Sequence, residues 1–250
     1  MVVFSLTDLA FFVKSLGDQE VSIKFVFVGI ADSIDKLILH HQSVPRYIAS
    51  IQLEQLDLGD LVAIATEGFE AIDVVLPPYL ANRIGMISDG FAHFTHLISL
   101  KLANRYLEQE PLPTSINPDL LDVAITDAIE DSETILKKAY KDAVQKYRDQ
   151  YEPILWSVAD HWQIDQLTEE LYPSYERICK KMKIDPLDRK SYSKVLNKFK
   201  TPSHGTVLVS DRRSWFRFRI SMLRGYCRMI ALSRKVDVGV EYLRSRTGGS

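Results

Sequence analysis

The chain has 250 residues, 46% of them hydrophobic and 26% charged, with a formal net charge of -2; that is enough apolar content to bury a core and enough length for two small domains. No run reaches the roughly 18 apolar residues of a membrane span, and the amino terminus lacks the basic, apolar, small-residue order of a signal peptide, so the sequence reads as a cytoplasmic globular protein. The two cysteines, Cys179 and Cys227, have no CxxC or Cys/His spacing, which speaks for buried thiols and against a disulfide scaffold or a zinc site.

In chain order, "SLTDLAFFVKSLG" places Leu6, Leu9, Phe12 and Val13 near helical spacing and stops at Gly17. "VSIKFVFVGI" is β-rich and apolar at almost every position, as in a strand buried on both faces of a parallel sheet. "SIDKLILHH" reads as a short helix and "YIASIQLEQL" as a second strand. Helices are predicted near 57 to 71, 77 to 88 and 92 to 108. The prolines of "EQEPLPTSINP" mark a linker, and a long helix near 118 to 149 follows, rich in Ala, Lys, Asp and Glu. No internal repeat is visible.

The last hundred residues have a clearer order. "EPILWSVADHW" and "QLTEELYPSYERICKKMKI" supply two helices, and "DPLDRKSYSKVLNKF" a third, with Asp185, Pro186 and Asp188 as start signals. "GTVLVSDRRSWFRFRI" alternates on either side of "SDRRS", the pattern of a β-hairpin. Trp215, Phe216 and Phe218 alternate within it, so one face of them reads as core. Three helices and a hairpin form the order of a winged helix. "SMLRGYCRMIAL" closes the series with Met222, Leu223, Tyr226, Met229 and Ile230 on one face.

The small net charge hides a division. Residues 180 to 250 carry 18 Lys and Arg against 5 Asp and Glu, which leaves 13 against 28 for the rest. An acidic body with a basic module suggests phosphate as a partner, unless the two parts neutralise each other. Arg189, Lys190, Lys194 and Lys198 fall on the third helix of the series, the last three at i, i+4 spacing on one face, and Arg212 and Arg213 sit at the hairpin tip. These residues are the candidate contacts to double-stranded DNA, mostly to phosphate. The alternative use of such a module is oligomerisation or protein docking.

A strand ending "VGIADS", a short helix, an arginine, a second strand, a helical lid and a winged helix together resemble the carboxy-terminal half of an AAA+ ATPase, in the origin-recognition and replication-initiator branch and its bacterial relatives. The resemblance covers roughly residues 20 to 232, and "LYPSYERICKKMKIDPLDRKSYSKVLNKF" is its most specific piece. It implies a mainly α chain with minor β. Residues 1–56 would form part of the nucleotide-binding core, 57–112 the lid, 113–150 a linker helix and 151–246 the winged-helix domain. It also implies a sensor role for Asp32, with Ser33 beside it, although "ADSID" is equally a helix cap. Arg46 stands where the family keeps its arginine finger, a role suited to an always-charged guanidinium; a plain surface arginine is the other reading. His93 occupies the place of the lid arginine called sensor 2, and an imidazole is a weaker phosphate partner. His93 and His96, at i and i+3, lack an apparent third ligand for a metal.

The sequence contains no GxxxxGK[ST], and no glycine is followed by lysine, so no phosphate cradle of that kind is encoded. An apolar strand ending in Asp-Glu to hold magnesium is also missing. ATP and Mg are therefore expected only together with a P-loop half supplied elsewhere, and hydrolysis by this chain alone is not expected. Partners implied are duplex DNA, that P-loop half or another protein, and copies of the chain itself. The competing reading is an interaction subunit of a multi-protein switch, such as one in bacterial defence or signalling, that binds no DNA.

Overall fold

The computed structural model describes residues 54–161 and 163–239, together with positions 11, 12, 14–16, 18, 19, 26 and 51. The chain divides into two compact units, Met1–Glu54 and Gln55–Ser250. In the first, Phe11, Phe12, Lys14, Ser15, Leu16 and Asp18 are helical, within and just past the helix predicted there. Asp32, Ser33 and Arg46 fall outside the described residues, as do most positions of the two predicted apolar strands; those that are described, Val26 in the first and Ile51 and residues 54–56 in the second, are not in strand, and Val26 and Ile51 are exposed.

The second unit is mainly helical with a small three-stranded antiparallel sheet. Helix α1 (Leu58–Glu70) starts where Asp57 accepts a hydrogen bond from the Asp60 amide at 3.0 Å, and it buries Leu61, Ala65 and Phe69 on one stripe. Pro78 opens α2 (Pro78–Ser88), a position where the missing N–H costs nothing. Gly85 lets α1 and α2 close up, since a Cβ there would lie 2.8 Å from a Leu58 methyl carbon. At the end of α2 the backbone turns left-handed twice, at Asp89 (φ 55°) and Gly90 (φ 83°). A Cβ at Gly90 would stand 2.6 Å from that of Gln55, so glycine is required there. Helix α3 (Ala92–Leu107) then buries Phe94, Ile98, Leu102 and Tyr106, and the Tyr106 hydroxyl donates to the Pro113 carbonyl at 2.6 Å.

The single long helix predicted for 118 to 149 is instead α4 (Asp119–Asp131), α5 (Thr134–Val144) and the beginning of α6 (Arg148–Ala159). At the first break the Ser132 backbone is extended (ψ 157°), and its hydroxyl donates back to the Ala128 carbonyl at 2.7 Å. A serine that bonds its own helix competes with continuation of that helix. Every residue from Tyr151 to Asp160 is buried, which makes α6 a central helix of the unit.

Strand β1 (Gln166–Leu167) leads into α7 (Thr168–Met182), α8 (Arg189–Lys198), β2 (Leu208–Val209) and β3 (Trp215–Phe218). The sheet order is β1-β3-β2, with Gln166 opposite Phe216 and Leu208 opposite Phe218. The predicted hairpin is thus present as β2 and β3, with Phe216 and Phe218 buried and Trp215 and Arg217 half-buried in alternation. Helix α9 (Met222–Ser233) buries every residue from Met222 to Leu232 and packs against α2, α4, α5 and α6. One apolar core runs from Ala65 to Val236, so the segments expected as lid, linker helix and terminal module are joined inside a single unit.

Polar knots tie that core together. Arg224 Nε donates to Asp89 Oδ2 at 2.6 Å, and Arg228 Nη1 lies 2.9 Å from Asp89 Oδ1. Arg228 also donates to the carbonyls of Ala159, His161 and Met86. All three charged side chains are buried, and burial pushes the Arg228 guanidinium down from its ordinary range. The fully buried Asp160 accepts from Arg177 at 2.6 Å and from the Gly239 amide at 2.8 Å. The fully buried Glu152 accepts from the Tyr140 hydroxyl and Arg148 Nε, both at 3.0 Å, and from Arg234.

These contacts correct the charge reading. Arg217, Arg224, Arg228, Arg234 and Lys235 of the basic segment pair with acids, most of them from the acidic part of the chain. Part of the charge asymmetry is therefore internal neutralisation, and the basic surface is narrower than the count suggests.

Both cysteines are buried and free, and burial pushes the Cys227 thiol well up and the Cys179 thiol up. Since the thiolate is the reactive form, a disulfide-exchange reagent at mildly alkaline pH is expected to find no fast thiol in the native protein and both after denaturation. Rapid labelling of either in the folded chain would contradict this burial.

Candidate nucleic-acid interface

The candidate site is built on the turn between α7 and α8. Helix α7 ends at Lys183 in the left-handed region (φ 59°), with the Ile184 amide donating to the Cys179 carbonyl at 3.0 Å. Two tyrosines then hold Leu187 by both backbone groups: the Leu187 amide donates to the Tyr175 hydroxyl at 2.9 Å, and the Tyr172 hydroxyl donates to the Leu187 carbonyl at 2.8 Å. Asp188 caps α8, accepting from the amides of Lys190 and Ser191 at 2.9 and 3.0 Å and from the Ser191 hydroxyl at 2.6 Å. Those donors, the Ser191 hydroxyl foremost, hold its carboxyl below the usual range. On the inner side of α8, Tyr192, Val195 and Leu196 are buried, and the Tyr192 hydroxyl lies 2.8 Å from Ser157 Oγ in α6. The helix is thus fixed to the core along one stripe, and its other side faces solvent.

All six predicted contact residues, Arg189, Lys190, Lys194, Lys198, Arg212 and Arg213, are exposed and make no ion pair among the described residues. Lys190 and Lys194 stand on the outer face of α8. Arg189 is laid over the Tyr172 ring, with its Cζ 4.8 Å from the centroid. Arg212 and Arg213 occupy the turn between β2 and β3, where Ser214 takes φ 66° and Ser210 Oγ donates to the Arg212 carbonyl at 2.7 Å. Arg212 lies 6.0 Å from the Trp215 ring. Lys198 departs from the expected row. Its Nζ donates to the Tyr151 hydroxyl at 2.9 Å and sits 5.5 Å from that ring, which ties the end of α8 back to α6.

Between the start of α7, the side of α8 and the 210–214 turn lies a groove of about 490 Å³. Arg189, Lys200 and Arg213 give it a cationic rim, and Ser193 and Asn197 add polar groups. Lys200 is held 5.2 Å from the Phe216 ring. One carboxylate, Glu169, also lines the groove. Ser193, Asn197, Lys200 and Glu169 stand outside the predicted contact set: the first two carry no charge, and Lys200 and Glu169 lie off the lysine row of α8. The signal was present: Arg189, Ser193 and Asn197 form an i, i+4, i+8 row beside the lysine row.

Rings stacked under the cations restrict long side chains before any ligand arrives, and so lower the entropy lost on binding. The arrangement supplies fixed positive charge over two elements about a polar groove, which suits a polyanionic strand. His93 is the second residue of α3 and is exposed, its ring 5.6 Å from that of Phe94. The described residues contain no cluster of metal-ligating groups and no helix long and apolar enough to cross a membrane. No protein-family model matches the chain, and no curated protein matches it.

Proposed function

We propose that residues 55–239 are the helical lid and winged-helix portion of an AAA+-type protein that binds duplex DNA, with α8 as the recognition helix and the 210–214 turn as the wing. Helix α6, β1, α7, α8, β2 and β3 follow in the order of a winged helix, with β1 and β2 flanking β3. The observation that carries the reading is the outer face of α8, where Lys190 and Lys194 are exposed and make no ion pair among the described residues. Contacts of this kind go mainly to phosphate, and they give affinity with a steep salt dependence.

ATP and Mg would be held by a P-loop half supplied elsewhere. Among the described residues only His93 is assigned to nucleotide by the resemblance. One exposed imidazole beside Phe94 does not make a triphosphate site, so no step of the proposed function runs through ATP on these residues.

The test is a fluorescence anisotropy titration of labelled duplex DNA with the chain and with Lys190→Glu, Lys194→Glu. Binding that weakens steeply with salt and is lost in the double variant supports the reading. A folded chain that binds no duplex even at low salt sinks it. The second reading, a protein-docking subunit, would then take precedence; it draws on the exposed apolar residues Ile72, Val75 and Tyr79 around the connection between α1 and α2.

A further inference from the structure

A duplex touched only at its phosphates needs a charged surface, not a cavity. The groove beside α8 is half open to solvent and has a volume of about 490 Å³, which is enough to admit a single ring system. Its contents are unlike those of a plain phosphate cradle. The Arg189 Cζ lies over the Tyr172 ring, 4.8 Å from its centroid, which places the guanidinium at the groove. A guanidinium plane is a stacking surface for a nucleobase as well as a cation. Lys200 and Arg213 stand on the rim as partners for a phosphate. Glu169 makes no ion pair among the described residues, although it lines a groove with three cations. A lone carboxylate weakens phosphate binding, but it accepts hydrogen bonds from an exocyclic amino group. Asn197 Nδ2 donates to the Ser193 carbonyl at 2.9 Å, and its amide oxygen is a further acceptor.

We propose that this groove seats a single unpaired nucleotide of the bound DNA, with the base stacked on the Arg189 guanidinium, its amino edge toward Glu169 and Asn197, and its phosphate at Lys200 and Arg213. The inference rests on the DNA-binding reading above and goes beyond it. Paired bases inside a duplex cannot enter such a groove, so the ligand is a bulged or extruded nucleotide next to the duplex that α8 contacts.

The experiment compares two labelled duplexes of equal length and sequence by anisotropy at one salt concentration, one intact and one with a single extra unpaired adenine at its centre. The bulged duplex is expected to bind roughly tenfold more tightly, the size of one base stacked on a protein group. In Arg189→Lys, which keeps the charge and removes the flat guanidinium, the ratio of the two affinities is expected to fall toward one. Equal affinities for the two duplexes in the unaltered chain overturn the proposal and leave duplex binding standing. A bulge preference that survives Arg189→Lys also overturns it, because the preference would then come from DNA flexibility. Binding to neither duplex overturns the DNA reading itself and this proposal with it.

Discussion

Replacing Asp89 with alanine is expected to lower the unfolding free energy by about 3–5 kcal/mol, the cost of breaking a buried ion pair and leaving its partner uncompensated. Asp89 is the carboxylate that meets Arg224 and Arg228, and all three side chains are buried. Without it Arg224 and Arg228 would lose the buried carboxylate that both meet, while Arg228 keeps its backbone carbonyls and the field of Asp160. Alanine would also stand in the left-handed backbone that Asp89 adopts at φ 55°, a conformation that disfavours most side chains. Asp89→Gly separates the two effects, since glycine accepts that backbone and removes only the carboxylate. Urea unfolding should show the glycine variant retaining most of the loss. Arg217→Ala is the comparison: its partners Asp165 and Asp211 are exposed, and such pairs contribute about 0–1 kcal/mol. An Asp89→Gly protein as stable as the parent would mean that the knot contributes nothing net.

The second large effect is on DNA. Lys190→Glu, Lys194→Glu reverses two charges on the outer face of α8, where neither lysine has an ion-pair partner among the described residues. Duplex affinity at low salt is expected to fall by about two orders of magnitude, because two phosphate contacts are lost and two repulsions gained. Fold stability should change little, since both side chains are exposed and make no hydrogen bond through their side chains among the described residues. Anisotropy and urea unfolding of the same sample read the two quantities separately. A loss of binding accompanied by unfolding would not count in favour of the interface.

Much of the helical framework was legible because its ends carry chemistry. Asp57 and Pro78 mark the starts of α1 and α2, and Asp188 marks that of α8. The hairpin was legible from alternation, and Phe216 and Phe218 occupy its buried side. The break at Ser132 was hard to read because no proline or glycine announces it; the hint was the cluster Asp131, Ser132 and Thr134, residues of low helix propensity that favour helix ends. Strand β1 was missed because two residues, Gln166 and Leu167, cannot display alternation.

The site was legible in part for similar reasons. Charge picked out Arg189, Lys190, Lys194, Arg212 and Arg213, which the structure leaves exposed, but charge alone could not show that Lys198 would bond to Tyr151. Nor could it tell surface arginines from Arg224 and Arg228. Their partner Asp89 lies 135 residues before Arg224, and no local pattern encodes such a pairing. The available hint was two arginines at i, i+4 inside an otherwise apolar helix, which is where buried guanidinium groups need a fixed acid.

The central claim is that the face of α8 and the groove beside it hold the phosphate backbone of DNA. The most direct test is the slope of log affinity against log salt concentration for a labelled duplex, measured for the parent chain and for Lys190→Ala, Lys194→Ala. The account predicts a steep negative slope in the parent, made shallower by about two in the double variant, one for each phosphate contact removed. A parent slope near zero, or one that the double substitution leaves unchanged, would contradict it.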